Sequence, residues 1–244
     1  MNQNFKGTVI FMTQPTPQLL RAVDAPPRTQ LVRGLEQREI DVILAAANPR
    51  RFSSHSVMTR QGEPADQLLL LWKGRARYFF DTPDGKKIIL AWITPGHTFG
   101  GTALASRPST YLVSTEAVRD SLVLAWDAAT IRSLARRFPQ LLENVYLTAI
   151  DYLSWYVAAH AALTSQTARE RLAHVILGYA PSIGHKVPEG VALDVTNEEL
   201  ANAANISPYT TSRLISDWHR SGAIRKHRGK ILLRSPERLF LPAA

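Results

Sequence analysis

The side chains best suited to chemistry lie near the end of this 244-residue chain, between residues 195 and 238. Residues 206–238 hold eight basic side chains: Arg213, Arg220, Arg225, Lys226, Arg228, Lys230, Arg234 and Arg238. Asp217 and Glu237 are the only acidic ones there, so most of the chain's net charge of +9 sits in this segment. A dense cationic stripe neutralises phosphates. Tyr209, Thr210, Ser212 and Arg213 fall on one helical face, with Ile206, Leu214, Ile215 and Trp218 on the other. The chemistry is recognition of nucleic acid rather than bond-making. Candidate DNA contacts are Thr196, Ser207, Tyr209, Thr210, Ser212, Arg213, Lys226, Arg228 and Lys230. Elsewhere no nucleophile elbow, phosphate-cradling loop or metal-ligand spacing occurs, and Asp81 and Asp84 read as turn residues, which argues against an enzyme.

Local signals define the elements that carry these residues. Thr196 caps a first helix, and Glu199 three residues on completes a capping box. Leu200, Ala203 and Ala204 give that helix a small apolar face. Residues 205–207 form a turn in which Ser207 is the next N-cap. A second helix covers about 208–221, with Pro208 tolerated in its first turn. A basic hairpin follows. This is the pattern of a winged helix-turn-helix, whose second helix enters the major groove.

Upstream, residues 1–28 are rich in Pro, Gln and Thr and read as an N-terminal arm. Residues 31–47 have helical spacing. From 51 to 126 short strands alternate with turns at Gln61-Gly62-Glu63-Pro64, Lys73-Gly74, Pro83-Asp84-Gly85-Lys86 and Pro95-Gly96. Asp84-Gly85 between two apolar runs predicts a hairpin, and the even strand spacing predicts a β-roll or small barrel. Residues 128–163 read as helix interrupted near Pro139. Leu142, Tyr146, Ala149, Leu153, Tyr156 and His160 recur at 3–4 spacing, while Leu147, Ile150 and Val157 lie off that seam. A helix apolar on more than one face must be covered on both: one face by the β-roll, the other by a second copy in a parallel coiled coil. Residues 164–167 are a junction, 169–180 a further helix, and 181–190 a loop.

The predicted fold is α+β. It comprises the arm (1–28), a cyclic-nucleotide-binding-like β-roll for effector sensing (29–127), a long dimerisation helix with its hinge (128–166) and a winged helix-turn-helix domain (167–244). Cysteine is absent, which excludes disulfides, thiolate zinc sites and cysteine-ligated iron–sulfur clusters. No run of ~18 apolar residues could span a membrane, and the N-terminus lacks the form of a secretion signal. A cytoplasmic protein is expected.

The order of elements resembles the CRP/FNR superfamily of bacterial transcription regulators from residue 31 onward. The matching residues are Gln61-Gly62-Glu63, Lys73-Gly74, Asp84-Gly85-Lys86, Pro95-Gly96 and Phe99-Gly100, then Ala168-Arg169-Glu170-Arg171-Leu172, Ile206-Ser207, Thr210, Ser212-Arg213, Ser221-Gly222 and His227-Arg228-Gly229-Lys230-Ile231. The resemblance implies a homodimer in which an effector beside the long helix rotates the DNA domains about residues 164–167. It implies RNA polymerase as a further partner, touched through the 181–190 loop. It matches Arg213 to an arginine that reads base edges, bidentate to guanine, and Ser207 and Thr210 to phosphate contacts. Tyr209 departs from the glutamate common at its position.

The effector segment departs further. Members that bind cyclic AMP carry Glu where Gly101 stands, Arg-Ser near Thr110-Tyr111, and Thr-Ser at Tyr156-Val157. A cyclic phosphate leaving water needs a cation or several donors, and Arg107 is the only guanidinium nearby. The expected pocket is formed by Phe99, Gly100, Gly101, Thr102, Leu104, Thr110, Tyr111, Tyr156 and Val157. It would take an effector other than cyclic AMP. The alternatives are a self-filled pocket needing no effector, or a sensor of haem or a cyclic nucleotide. His55, His97 and His160 are the axial-ligand candidates for haem.

Overall fold

The computed structural model describes residues 27–85, 87–227 and 229–241. The N-terminal arm, apart from residues 27 and 28, lies outside the described residues, as does Arg228 of the wing. The chain divides into two compact units, residues 1–153 and 154–244, and the division falls within one long helix.

The first unit is built on two four-stranded antiparallel sheets. Its strands are β1 (Asn48–Phe52), β2 (Val57–Thr59), β3 (Gln67–Lys73), β4 (Ala76–Asp81), β5 (Lys87–Ile93), β6 (Thr98–Phe99), β7 (Ser114–Ala117) and β8 (Ser121–Asp127). One sheet has the order β1-β8-β3-β6, the other β2-β7-β4-β5. Strand β3 sends Leu68, Leu70 and Trp72 to one side and Leu69 and Leu71 to the other. Alternate side chains of a strand point to opposite faces, and here both faces are buried. On one side Leu68, Leu70 and Trp72 meet α1 (Gln37–Ala45), α2 (Ala128–Arg137) and the start of α3 (Pro139–Ser165), through Ile43, Ile131, Leu134 and Leu141. On the other, Leu69 and Leu71 line the inside of the roll with Ala76, Ile93, Phe99, Val123 and Ala125.

Two polar ties fasten the helices to this scaffold. The Trp126 indole donates to the Ile43 carbonyl at 2.8 Å, closing the C-terminal end of α1. The Asn144 amide donates to the carbonyls of Leu31 and Arg33 at 3.0 and 2.8 Å. The predicted single helix over 31–47 is instead a 3-10 turn (Gln30–Val32) followed by α1. Gly34, at φ +77, breaks it in a left-handed conformation. The Asp84-Gly85 hairpin forms between β4 and β5 as the sequence predicts.

The second unit runs α4 (Ala168–Ile183), β9 (His185–Val187), β10 (Gly190–Leu193), α5 (Asn197–Ala204), α6 (Pro208–Arg220), β11 (Ile224–His227) and β12 (Lys230–Leu233), then a 3-10 turn (Pro236–Phe240). Its core gathers Leu172, Ile176, Leu193, Leu200, Leu214, Ile215, Trp218, Ile231 and Leu239. The sheet order is β11-β12-β10-β9. The expected 181–190 loop is therefore corrected. Its first residues are the last turn of α4 and the rest is a hairpin. Ile183, 6% exposed in the core, holds that turn despite Pro181. Strand β10 exists because it pairs with β12 some forty residues later, a contact no local signal announces. The small apolar face of α5 is Leu200, Ala201 and Ala204, with Ala203 only partly covered.

One buried carboxylate stands out in the first unit. Glu116 on β7 lies directly across from Arg77 on β4 and is 4% exposed. It accepts from Arg77 at 2.6 Å and from Lys87 at 2.8 Å. Burial pushes its pKa up, but the hydrogen bonds and charges of Lys87 and Arg77 outweigh that and hold it below its ordinary value of 4.5. A depressed carboxylate stabilises the fold above its ordinary pKa, and this contribution fades as pH falls through the lowered value. Glu116→Gln is expected to cost about 1.5–3 kcal/mol at pH 7, the range for hydrogen bonds to charged groups. The cost should shrink at pH 3. Urea denaturation at both pH values checks it, and an equal loss at each would sink the account.

Candidate nucleic-acid interface and effector site

The reader helix is fixed at both of its junctions. Thr196 accepts from the Glu199 amide at 3.1 Å, while the Glu199 carboxylate accepts from the Thr196 amide at 2.8 Å. Asn205 ends α5 in a left-handed conformation, φ +50, a state its short polar side chain tolerates. Ser207 then caps α6, accepting from the Thr210 amide at 3.0 Å and sharing a hydroxyl contact with Thr210 at 2.9 Å. Thr211, Leu214, Ile215 and Trp218 turn inward. The Trp218 indole donates to the Leu239 carbonyl at 3.0 Å, and the Arg169 guanidinium lies 5.4 Å over its ring.

The opposite face of α6 is open. Tyr209 is 79% exposed, Arg213 is exposed, and Thr210 and Ser212 are half-buried. Thr210 lies within one turn of Arg213, and Ser207 caps the same helix six positions before it, so the structure places these candidates along the first two turns of α6. Thr196 stands at the start of α5, with its hydroxyl engaged in the cap.

Sequence reasoning missed a residue that holds this turn. The Arg171 guanidinium donates to the carbonyls of Gln166 (2.7 Å), Ala204 (3.0 Å) and Asn205 (3.5 Å). It ties the segment before α4 to the C-terminal end of α5 and to the turn. The motif at 168–172 held the residue, but nothing in its spacing revealed its partners.

The wing is less free than its composition suggests. Arg225 pairs with Glu189 at 3.3 Å and Lys230 with Asp194 at 3.1 Å. Arg220 pairs with Asp217. Among the described residues, Arg213 and Lys226 make no ion pair.

In the first unit Phe99 is buried at the end of β6, and residues Gly101–Leu104 form a 3-10 turn containing Thr102 and Leu104. Gly100 precedes it at φ +77. A Cβ there would meet the Gln67 carbonyl at 2.4 Å and the Tyr111 ring at 3.2 Å, so only glycine fits. Gly101 faces Val145 of α3. Tyr111 wedges behind this turn. Its hydroxyl donates to the Gln67 carbonyl and accepts from the Gln67 amide, both at 3.2 Å. Burial and then the charge of Asp66 push its pKa up to about 12. Thr110 is exposed, in an isolated bridge with Pro64. Tyr156 and Val157 lie on the part of α3 in the second unit, each more than half exposed. Sequence reasoning did not single out Tyr78 or Tyr152, whose rings meet edge to face inside the first unit.

Along α3, Leu142, Tyr146, Ala149, Leu153, Tyr156 and His160 are all exposed. Leu141, Asn144 and Val145 on its other side are buried in the first unit. Among the described residues no cluster of His, Asp and Glu could hold a metal ion, and no helix is long and apolar enough to cross a membrane.

Comparison with known proteins identifies both units. Residues 49–138 match the cyclic nucleotide-binding domain family, and residues 170–240 match the Crp-like helix-turn-helix domain. The CRP-like cAMP-activated global transcriptional regulator of Mycobacterium tuberculosis is 24% identical over 216 residues, 87% of this chain and 95% of that protein. The cyclic AMP receptor protein of Thermus thermophilus is 26% identical over 204 residues, 84% of this chain and 92% of that protein. A crystal structure of a CRP-family transcriptional regulator, also from Thermus thermophilus, superposes with a TM-score of 0.66 at 25% identity, covering 78% of this chain and 93% of that one. With an exposed reader helix, a β-roll and matches along nearly its whole described length, this chain belongs to the CRP/FNR superfamily of DNA-binding transcription regulators.

Proposed function

We propose that the protein acts as a homodimeric, sequence-specific regulator whose DNA affinity is set by a small effector other than cyclic AMP. The observation that carries the DNA-reading part is the open face of α6, where Tyr209 and Arg213 project beside hydroxyls already ordered by the helix cap. In this reading Arg213 hydrogen-bonds a guanine edge. Thr196, Ser207, Thr210 and Ser212 set register on phosphates, and Tyr209 contacts a thymine methyl or a phosphate. Lys226, Arg228 and Lys230 add sequence-independent attraction. The dimer is supported by the exposed stripe from Leu142 to His160, whose burial against a second copy would remove six side chains of one seam from water.

An effector other than cyclic AMP is supported by the polar inventory near Gly101. Arg107 is exposed on its loop, and Thr102 is the one hydroxyl of the 3-10 turn. These residues do not supply the buried cation that a desolvated cyclic phosphate needs. Two relatives bear names that tie them to cyclic AMP, which favours a nucleotide as the second reading. Titrating cyclic AMP into the protein by calorimetry separates the two. Saturable binding in the micromolar range would replace our reading with the nucleotide one.

Selection of duplexes from a random pool provides the operator for the remaining tests. Arg213→Ala is expected to weaken binding to that operator by about 1–3 kcal/mol and relax preference at one base pair. Lys226→Ala should weaken all sequences alike and lower the magnitude of the salt slope by about 0.9. Fluorescence anisotropy over a salt series reads both, and a uniform loss with Arg213→Ala would remove its base-reading role. Leu153→Glu is expected to turn a dimer into a monomer by sedimentation velocity, with the circular dichroism spectrum retained. An unchanged dimer would place the interface elsewhere.

A further inference from the structure

The last carbonyls of a helix have no partner within it, and in the second unit one side chain collects such carbonyls from two helices. Helix α3 ends at Ser165, and the Gln166 amide still donates to the Ala162 carbonyl at 3.0 Å, which leaves the Gln166 carbonyl at the helix end. Helix α5 ends at Ala204, with Asn205 as its left-handed cap. The Arg171 guanidinium, in the first turn of α4, meets both ends. Its Nη1 donates to the Gln166 carbonyl at 2.7 Å, its Nε to the Ala204 carbonyl at 3.0 Å and its Nη2 to the Asn205 carbonyl at 3.5 Å. All three acceptors are main-chain oxygens, and a cation suits the negative ends of two helix dipoles.

Both sides of this contact are themselves held. The Gln166 side-chain oxygen lies 3.0 Å from His174 Nδ1. The Thr167 amide donates to the Glu170 carboxylate at 2.7 Å, and the Glu170 amide to the Thr167 hydroxyl at 3.3 Å. Residues 166 and 167, expected from the sequence to belong to a hinge, are therefore tied to α4 through Glu170, Arg171 and His174. On the other side the Ile206 amide donates to the Ala201 carbonyl at 3.0 Å, and Ser207 caps α6 directly after it. A shift of Ala204 relative to Gln166 must break the grip of Arg171.

We propose that Arg171 is a positioning residue for operator reading: by gripping the C-terminal ends of α3 and α5 together, it makes the end of α3 and the turn before α6 one rigid piece, and so fixes where Tyr209 and Arg213 stand in the groove. This rests on the DNA-reading part of the proposed function. Lysine keeps the charge but lacks the planar fork whose separate nitrogens reach different carbonyls.

The test is Arg171→Lys in the full-length protein, with the selected operator and a scrambled duplex compared by fluorescence anisotropy. The preference for operator should fall about 5–100-fold, the range for one base contact set wrongly. Affinity for the scrambled duplex and its salt slope should stay the same, because the charge is kept. A lowered Tm with the preference of the folded protein unchanged would reduce Arg171 to a stabilising residue and overturn the proposal. Gln166→Gly, which frees the backbone at the end of α3, should also lower the preference, and the double variant should lose no more than Arg171→Lys alone. Additive losses would cut α3 out of the link and overturn it. Native-state hydrogen exchange of the wild type gives a reading that needs no variant to fold: the Gln166 and Asn205 amides should open with equal free energies, as one cooperative unit. Unequal opening would overturn the proposal. A wild-type protein with no preference among duplexes would instead remove the base-reading role of Arg213, and hydrogen exchange would then judge the link through Arg171 by itself.

Discussion

Strand β3 has no side that faces water, and the first unit is arranged around that constraint. A strand with one solvated face needs one layer of cover; β3 needs two. The helices supply one through Ile43, Ile131 and Leu141, and the opposite wall of the roll supplies the other through Ala76 and Ile93. This explains why α1 is tied to Trp126 and why Asn144 reaches back to the carbonyls of Leu31 and Arg33. If the start of α3 lifted away, the layer over Leu68, Leu70 and Trp72 would lose Leu141 and Val145. That helix also brings Tyr152 against Tyr78 of β4.

In the second unit the comparable constraint is the angle of α6. Hydrogen bonds set it together with the packing of Leu214, Ile215 and Trp218. The Ser207 cap, the left-handed Asn205 and the three carbonyls held by Arg171 fix the turn before any DNA is met. Buried Trp218 fixes the far end through Leu239. A preorganised reader loses less conformational entropy on binding than a mobile one.

Much of this was legible in the sequence because the signals are local. The capping box of Thr196 and Glu199, the Ser207-Pro208 start and the Asp84-Gly85 hairpin each depend on residues within four positions of one another. The helical run of α3 was readable for the same reason, but the face covered by the roll was not: Leu147, Ile150 and Val157 are exposed, and Leu141, Asn144 and Val145 are the buried residues. What escaped depends on partners distant in the chain. Tyr78 and Tyr152 are 74 positions apart, and no local signal announces that their rings meet. Strand β10 and the hairpin around Glu189 exist through pairing with β12. Tyr111, expected to line a pocket, is held behind the Gly100 turn by hydrogen bonds to Gln67, which its position in a polar loop did not reveal.

The paired wing cations change how this protein should feel salt. Glu189 and Asp194 serve Arg225 and Lys230 as counterions fixed to the same chain. A phosphate that draws either cation away frees a bound metal ion from the DNA, but it also bares a carboxylate that gathers a metal ion in turn. The two exchanges offset each other, so the ionic-strength dependence follows the net charge brought to the backbone rather than the number of lysines and arginines near it. A segment that reads as strongly basic can in this way hold DNA with a shallow response to salt, leaving more of the discrimination to the face of α6.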